Sequence, residues 1–254
     1  GGVAARAAWE QQLDIIASEL GMDPVEFRLK NIMKTGDVTC NDFNMSSLGM
    51  KECLEAVRDG SGWAGKKGKL PGGKGIGVAC GFFVSGAGYP IYRSETFHST
   101  ATIRLSEDGG TASLYTAAAE IGQGSDTILS QIAAEALGVS FDDVKVHSGD
   151  TDFGVDLGAY SSRQTLMSGH AVKAAAEDVK RQVLEALSDE LKVPREDMDI
   201  ENGVVVFKKG APDFSAVRSA YAKEHRGWEK PSLPAELTFK EAARLAFLRH
   251  GVIV

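Results

Sequence analysis

Two stretches of the chain share one layout, and that layout limits the possible folds more than any other feature of the sequence. "AAEALGVSFDDVKV" and "LSDELKVPREDMDI" each have the pattern of a helix end, a short polar loop and a strand, with Leu137 and Leu191 at corresponding positions. Two copies are too few for a repeat protein. Because strands alternate with long helices, we expect an α+β fold with mixed sheets.

The spacing of apolar residues changes along the chain. Helical periodicity is predicted over residues 3–20, 24–33, 48–58, 125–137, 162–191 and 238–249. Alternating or apolar runs predict strands over residues 75–88, 96–105, 111–120 and 144–147, and a hairpin closed by Asn202-Gly203. We therefore expect a helical segment over residues 1–60 and an α+β region over residues 61–254. Both are expected to form one continuous piece of a larger subunit.

Charge and hydropathy argue against two classes of partner. The 254 residues include 35 acidic and 28 basic ones, which gives a net charge of −7. Binding to nucleic acid needs clustered lysine and arginine to neutralise phosphates. No apolar stretch approaches the ~20 residues that a membrane span requires. We expect neither nucleic-acid binding nor a membrane span.

The cysteines indicate a reducing environment. Cys40, Cys53 and Cys80 stand apart from one another, and the chain has no Cys-x-x-Cys pair. An iron–sulfur cluster or a zinc site made by this chain alone is therefore not expected. Isolated cysteines without a disulfide framework are typical of a reducing compartment, so we expect a cytoplasmic protein.

Two glycine-rich matches to nucleotide-binding motifs fail on their context. Residues 60–65 match G-x-G-x-x-G, but they follow a helix and precede a lysine-rich loop. A dinucleotide fold needs a strand before this motif and a helix after it. The same stretch nearly matches a P-loop, but Lys67 stands where the magnesium-binding Ser or Thr should be. A nucleotide-dependent transferase is therefore not expected.

The stretch "AAAEIGQGSDT" joins a predicted strand to a predicted helix. The start of a helix exposes backbone N–H groups and attracts anions. Gly122 and Gly124 would let a ligand approach the main chain, and Gln123 offers both a donor and an acceptor. Ser125 is suited to cap the helix. A tight turn with ordinary capping explains the same residues, so both interpretations stay open at this point.

A second predicted helix start follows "GDTDFGVDLGAY". Ser161, Ser162, Arg163 and Gln164 place hydroxyls, a guanidinium and an amide at the beginning of a long helix. These groups are suited to a phosphate or pyrophosphate. A helix cap beside a surface arginine is the alternative. Two such helix starts in one chain favour a phosphorylated ligand rich in heteroatoms.

These motifs together resemble the molybdenum-cofactor-binding subunit of the xanthine dehydrogenase family of molybdenum hydroxylases. The resemblance is carried by Glu120–Gly124, Asp126-Thr127, Gln131, Gly149–Asp152 and Gly158–Gln164 with Thr165 and Gly169. The opening "GGVAARAAWEQQLDIIASELGMDPVEFRLKN" is similar to the segment after the family's Arg-Gly-aromatic-Gly-Gly motif. Within the family, "GAYSSRQT" and "AAEIGQGSDT" are most similar to the large subunit of 4-hydroxybenzoyl-CoA reductase.

The resemblance implies a fragment of a cofactor-binding domain that holds molybdopterin with molybdenum, in bacteria often as the cytosine dinucleotide. Gly122, Gln123 and Gly124 would contact the pterin and its phosphate side. The helix start from Ser161 to Gln164 would line the pterin-phosphate region near the metal, with no protein ligand to the metal from this chain. Phe82 aligns loosely with a region that carries a substrate-stacking aromatic residue, and a core aromatic is the alternative.

The resemblance also implies a larger enzyme around this piece. In the complete enzyme, an aromatic substrate, such as an aromatic acyl-CoA, would be hydroxylated or reductively dehydroxylated at carbon, and aldehydes and N-heteroaromatics stay open as substrate classes. Electrons would pass through [2Fe–2S] centres and FAD on partner subunits, and the assembly would be an oligomer.

The chain also departs from the family's pattern. The family's catalytic glutamate lies in a Gly-x-Gly-Glu motif, and this sequence contains no such motif. We therefore expect no catalytic residue in this fragment, and no turnover from the fragment alone. The alternative is a cofactor-binding or scaffold module without redox chemistry that keeps the fold.

Overall fold

The structure is a computed structural model that describes residues 2–82, 98–210, 236–251 and 253. These residues belong to two compact units. Residues 2–82 lie in the first unit, and the described residues from 98 onward lie in the second. The indole N–H of Trp63 donates to Asp23 at 2.8 Å, so the first unit continues beyond residue 60. The domain boundary predicted near residue 60 stays a prediction about the organisation of the whole chain.

The first unit consists of helices joined by irregular segments. Its helices are α1 (Gly2–Glu19), α2 (Pro24–Asn31), α3 (Met50–Ser61) and α4 (Trp63–Lys66). Asp23 begins α2, because its carboxylate accepts the N–H of Val25 at 2.8 Å and Pro24 occupies the first helical position. Arg28 of α2 is buried and donates to Glu10 of α1 at 2.9 Å. The predicted helices of this segment are confirmed to within three residues at each end.

The strand predicted over residues 75–88 is wrong for the part that the structure describes. Residues 75–82 contain no regular secondary structure, and residues 83–88 lie outside the described residues. Gly75, Gly77 and Gly81 give this segment little side-chain surface to pack against a neighbouring strand. Apolar content alone therefore did not suffice for a strand.

The described residues of the second unit form two small sheets and three long helices. Its elements are β1 (Thr102–Leu105), β2 (Ala112–Tyr115), α5 (Ser125–Leu137), β3 (Val144–His147), α6 (Gln164–Leu191), β4 (Met198–Glu201), β5 (Val204–Phe207) and α7 (Phe239–His250). The predicted helix α5 and the predicted strand β3 are confirmed residue for residue.

The larger sheet has the order β1-β2-β3 and positions the candidate site. β1 and β2 are antiparallel, with Ile103 opposite Leu114, whereas β2 and β3 are parallel, with Leu114 opposite Val146. A parallel pair needs a crossover, and α5 provides it. Leu114 of β2 is fully buried, and so are Leu129 of α5 and Val172 of α6. The sheet and these two helices therefore share one hydrophobic core.

The smaller sheet is the predicted hairpin. β4 and β5 are antiparallel, and Asn202 and Gly203 both have positive φ, 51° and 76°. A two-residue turn of this kind matches the twist of the flanking strands. The two copies of the helix–loop–strand layout are confirmed as α5 to β3 and α6 to β4, each with a 3-10 turn between. They feed different sheets, β3 the larger and β4 the smaller.

The predicted fold class, α+β with mixed sheets and long helices, is confirmed. Over residues 2–82, 98–210, 236–251 and 253, no helix combines the length and the apolar character needed to cross a lipid bilayer.

Candidate functional site

Three loops of the second unit meet at one edge of the β1-β2-β3 sheet. β2 and β3 end there, and β1 begins there, because it runs in the opposite direction. The N–H of Gly149 donates to the carbonyl of Ala118 at 3.0 Å, and the N–H of Leu157 donates to that of His98 at 3.2 Å. Both predicted helix starts follow from this edge, α5 after β2 and α6 after β3. The carboxyl edge of parallel strands is where open sheets bind ligands.

The start of α5 is occupied by a side chain of the protein itself. The Glu120 carboxylate accepts the backbone N–H groups of Gly122 at 2.7 Å, Gly124 at 3.1 Å and Asp126 at 3.1 Å. These bonds, above all those from Asp126 and Gly124, hold the pKa of Glu120 below its usual range. The negative charge that this helix start attracts is thus provided in part by Glu120. Sequence reasoning gave Glu120 no role.

Two details of this loop differ from the expectation. Gly124, with a φ of 82°, is the N-cap of α5, and no side chain caps it directly. Ser125 is the first helical residue and is buried, and its hydroxyl lies 3.4 Å from the carbonyl of Ala119. The prediction that Ser125 caps the helix is therefore wrong, because the Glu120 carboxylate already accepts the first exposed N–H groups.

Gln123 uses its side chain to close the loop. Its Oε1 accepts the N–H of Ile121 at 2.7 Å, and its Nε2 donates to the carbonyl of Ala119 at 2.8 Å. Gly122 and Gly124 both have positive φ, and a Cβ at either position would meet no atom within 4 Å. The backbone at both glycines is therefore open to a close approach, as a ligand would need.

The turn before α6 holds two consecutive non-glycine residues in the left-handed region. Ser161 has a φ of 53° and Ser162 a φ of 52°. Each such residue costs about 1–2 kcal/mol relative to ordinary backbone. Strain of this kind is often retained at ligand sites, where the surrounding structure must enforce it. This turn thus coincides with the second predicted site.

Arg163 lies inside the protein and not on its surface. It is 1% exposed. Its Nη1 donates to the carbonyl of Gly158 at 3.0 Å, and its Nη2 donates to that of His98 at 2.9 Å. The alternative of a surface arginine is therefore excluded. Arg163 fastens two loops of the sheet edge to the start of α6, a structural role that the sequence did not predict.

Behind the start of α6 lies a polar network that sequence reasoning missed. The hydroxyls of Ser99 and Ser168 both donate to Oδ2 of Asp156 at 2.8 Å, and the N–H of Gly158 donates to Oδ1 at 2.7 Å. Nε2 of Gln164 donates to the Ser168 hydroxyl at 3.1 Å. The i, i+4 spacing of Gln164 and Ser168 on a predicted helix was a signal that could have paired them.

Several buried polar atoms at this edge lack a hydrogen-bond partner among the described residues. They are Nε of Arg163, Oε1 of Gln164, Nδ1 of His98 and Oδ1 of Asp126. Arg163 and Gln164 are adjacent, and both side chains are more than nine-tenths buried. Because buried polar groups are normally paired with protein, water or ligand, this donor and this acceptor at the start of α6 could bond a group that carries both an acceptor and a donor. A pterin ring has both, so these residues fit it.

An aromatic cluster borders the same edge. Tyr115 at the end of β2 stacks on His147 at the end of β3, with ring centroids 4.8 Å apart, and Phe153 meets Tyr115 edge-on at 5.1 Å. The parallel register places Tyr115 opposite His147, so the stacking follows from the strand pairing. The cluster holds the loop after β3 against the sheet.

Phe82 belongs to the first unit. Its side chain is 41% exposed, so the alternative of a core aromatic residue is not found. Its carbonyl accepts Nη2 of Arg6 at 3.2 Å. The role of Phe82 as a substrate wall stays a prediction.

A pocket of about 680 Å³ lies elsewhere in the second unit, between the second half of α6 and β4. Lys180, Arg181 and Arg195 line it together with Glu177 and Asp178. Glu177 lies about 20 Å along α6 from Gln164. The walls of this pocket carry both positive and negative side chains, and the pocket has no part in the candidate site.

Comparison with known proteins identifies the class. Residues 54–248 match the family described as the molybdopterin cofactor-binding domain, and the chain belongs to that family. It is a partial chain of the molybdopterin-binding region found in molybdenum hydroxylases of the xanthine dehydrogenase family.

Several known proteins are similar to this chain in sequence. The chain is 36% identical over 185 residues to the xanthine dehydrogenase molybdenum-binding subunit of Escherichia coli O157:H7, which covers 70% of this chain and 24% of the relative. It is 32% identical over 186 residues to the E. coli aldehyde oxidoreductase molybdenum-binding subunit, covering 71% and 24%. It is 25% identical over 215 residues to the nicotine 6-hydroxylase large subunit of Paenarthrobacter nicotinovorans, covering 80% and 26%.

The structure is similar to that of quinoline 2-oxidoreductase from Pseudomonas putida 86. The TM-score is 0.64 at 26% sequence identity, and the match covers 91% of this chain and 31% of that one. The chain thus spans between 24% and 31% of the length of these relatives. Two of the relatives carry names that describe them as molybdenum-binding subunits.

Proposed function

We propose that this chain grips molybdopterin and its molybdenum through the two helix starts at the edge of the β1-β2-β3 sheet. Gly122, Gln123 and Gly124 would contact the pterin and its phosphate side, and the turn from Ser161 to Gln164 would line the region near the metal. The observation that supports this most is the buried donor of Arg163 and the buried acceptor of Gln164, both without a partner among the described residues.

The residues of this chain would bind and orient the cofactor. Molybdenum, when bound, supplies the two-electron exchange with the substrate carbon. The open backbone at Gly122 and Gly124 admits a flat or charged group close to the main chain. Arg163 links the start of α6 to two loops at the sheet edge by hydrogen bonds, which fixes the positions of the residues that would contact the cofactor. The sequence has no Gly-x-Gly-Glu motif, so a catalytic glutamate would come from the rest of the subunit.

In the whole enzyme, the reaction would be hydroxylation or reductive dehydroxylation of an aromatic substrate at carbon. The names of relatives refer to xanthine, nicotine and quinoline. An aromatic acyl-CoA, as in 4-hydroxybenzoyl-CoA reductase, is the substrate predicted from "GAYSSRQT" and "AAEIGQGSDT". Phe82 would form part of the substrate wall. A panel of aromatic acyl-CoAs, N-heteroaromatics and aldehydes tests the substrate class with the intact enzyme.

The proposal extends to partners, cofactor form and location. The cofactor would be bound as the cytosine dinucleotide, and electrons would pass to [2Fe–2S] centres and FAD on partner subunits. The assembly would be an oligomer in the cytoplasm. Purification of the native complex, with iron, flavin and nucleotide quantified, tests each of these points.

The first experiment asks whether the native protein carries the cofactor. The intact protein is denatured, the released small molecules are oxidised, and a fluorescent pterin phosphate is identified by mass, with molybdenum quantified alongside. Pterin and molybdenum together support the proposal. A well-folded protein, produced with molybdate in the medium, that contains neither would favour the scaffold module without redox chemistry.

A matched pair of variants locates the cofactor. Gly122 and Gly210 have nearly equal φ, 97° and 94°, and both have open space at the Cβ position. Valine at either site imposes the same backbone strain, but only Gly122→Val blocks the edge where we place the cofactor. We expect Gly122→Val to lose pterin and Gly210→Val to keep it. Equal pterin content in the two variants would place the cofactor elsewhere.

A further inference from the structure

The Asp156 carboxylate determines the direction of a hydrogen-bond chain that ends at Gln164. Ser168 is 1% exposed, and its hydroxyl lies 2.8 Å from Oδ2 of Asp156 and 3.1 Å from Nε2 of Gln164. A hydroxyl has one hydrogen to donate. A carboxylate can only accept, and a charge-assisted bond is the stronger one. The hydrogen of Ser168 therefore points to Asp156.

The consequence reaches the amide of Gln164. Because Ser168 donates to Asp156, its oxygen can only accept from Gln164. The amide must therefore turn its NH₂ group toward Ser168 and its carbonyl oxygen, Oε1, the other way. Oε1 is buried and has no partner among the described residues. The Ser99 hydroxyl, 3.1 Å from that of Ser168, is a second and neutral acceptor for this hydrogen. The shorter, charge-assisted bond to Asp156 is the stronger of the two, so the charge on Asp156 favours this orientation of the amide from two hydrogen bonds away.

We infer that Asp156 is a positioning residue, which acts through Ser168 to present Oε1 of Gln164 as an acceptor to an N–H donor of the bound cofactor. The inference rests on the proposed function, because the cofactor is the ligand that would supply the donor. Asp156 also accepts the N–H of Gly158, whose carbonyl accepts Arg163. One carboxylate therefore helps to orient the two side chains at the start of α6 that carry unpartnered buried atoms, Arg163 and Gln164.

Asp156→Asn reverses the chain without changing its shape. Asn can keep its oxygen on the N–H of Gly158, which places its NH₂ group where Oδ2 was. That group donates to Ser168. Ser99→Ala is added, because the Ser99 hydroxyl lies 3.1 Å from that of Ser168 and would otherwise accept its hydrogen. In this background the hydrogen of Ser168 must turn to Gln164. The Gln164 amide flips and presents NH₂ to the ligand's donor. We expect Asp156→Asn with Ser99→Ala to release the cofactor about tenfold faster than Ser99→Ala alone, the usual result of leaving one buried donor unpaired.

The charge can be moved to the other end of the chain to restore the acceptor. In the same Ser99→Ala background, Asp156→Asn is combined with Gln164→Glu. The hydrogen of Ser168 goes to the new carboxylate, whose second oxygen faces the ligand as an acceptor. We expect this variant to release the cofactor within about threefold of the rate of Ser99→Ala alone, because the acceptor is restored. A residue that only supports the fold would not be rescued by a second change at Gln164.

The test uses the full-length holoenzyme and two readouts. Pterin and molybdenum per subunit are followed over time after removal of free cofactor, and the melting temperature is measured alongside. Asp178→Asn on the surface of α6 is the matched control and should leave release unchanged. If Asp156→Asn does not fold, Ser168→Ala removes the same link and should speed release.

The outcomes separate the two levels of the proposal. Wild-type protein without pterin overturns the proposed function and the inference with it. Wild-type protein that holds pterin, beside variants of Asp156 or Ser168 that release it at the same rate, overturns the inference alone. Faster release without rescue by Gln164→Glu also overturns it, since Asp156 would then act by another route.

Discussion

The Glu120 carboxylate lies over the start of α5 and accepts the backbone N–H of Asp126 at 3.1 Å. The two residues are six positions apart, and the glycines between them allow the chain to fold back. An anion at a helix start is stabilised by the exposed N–H groups. The "EIGQGSDT" turn is therefore organised by its own carboxylate before any ligand is considered.

This relationship predicts a component of acid sensitivity. The pKa of Glu120 is lowered in the folded protein by its hydrogen bonds to Asp126, Gly124, Gly122 and Ser125. Its stabilising contribution is therefore complete above the ordinary glutamate pKa and is lost as the pH falls through the lowered folded value. Glu120→Gln should have a lower melting temperature than wild type near neutral pH, and the difference should shrink on acidification. Parallel pH profiles would contradict this.

Arg163 should matter for stability as well as for the cofactor. Arg163→Lys keeps the charge, but one ammonium group cannot replace the guanidinium fork to Gly158 and His98. We expect a loss of about 2 kcal/mol in the free energy of unfolding, because one of the two charge-assisted hydrogen bonds from the buried guanidinium is lost. Urea unfolding of the purified protein measures it. The control Arg181→Lys, on the surface of α6, should cost less than about 0.5 kcal/mol.

Gly138 should not tolerate a side chain. Its φ is 80°, and a Cβ would collide with the backbone carbonyl of Ile200, while Gly203 has a φ of 76° and open space. Gly138→Ala should therefore cost both the left-handed strain of about 1 kcal/mol and the collision. Gly203→Ala should cost the strain only. Equal unfolding free energies for the two variants would show that the hairpin moves away without penalty.

Gly169 tests the packing of α6 on α5. A Cβ there would lie 2.9 Å from the terminal methyl of Ile132, an atom that can move. Gly169→Ala also gains about 1 kcal/mol in helix propensity, which offsets a clash of similar size. We expect a change within about 1 kcal/mol for Ala and a loss of about 3 kcal/mol for Gly169→Leu, by urea unfolding. A large loss with Ala would mean that Ile132 is held rigidly.

The buried ion pair of the first unit should respond asymmetrically. Arg28 is 6% exposed and Glu10 8%. Arg28→Met leaves the buried Glu10 carboxylate without its cation and should lower the free energy of unfolding by about 3–5 kcal/mol. Adding Glu10→Gln removes the stranded charge and should recover part of that loss. Thermal unfolding of both variants checks this, and a double variant as unstable as the single one would argue against a penalty from Glu10.

Much of the local structure followed from the sequence. The helix over residues 125–137, the strand over residues 144–147 and the Asn202-Gly203 hairpin are as predicted, because periodicity and turn chemistry act over a few residues. The prediction of a strand was wrong for residues 75–82, because an apolar run becomes a strand only where a partner strand is available.

The candidate site shows the same division. By itself, the sequence determined where the two helix starts fall, and that glycines and small polar residues surround them. Only the tertiary structure decided that the Glu120 carboxylate accepts backbone N–H groups at the start of α5 and that Arg163 is buried. It also decided that Asp156 is linked to Gln164 by hydrogen bonds through Ser168. Some of these hydrogen bonds join residues that are distant in sequence. In the others, two nearby side chains are alternative acceptors for the same backbone N–H groups. Their outcome depends on distances that exist only once the strands have paired and the helices have packed.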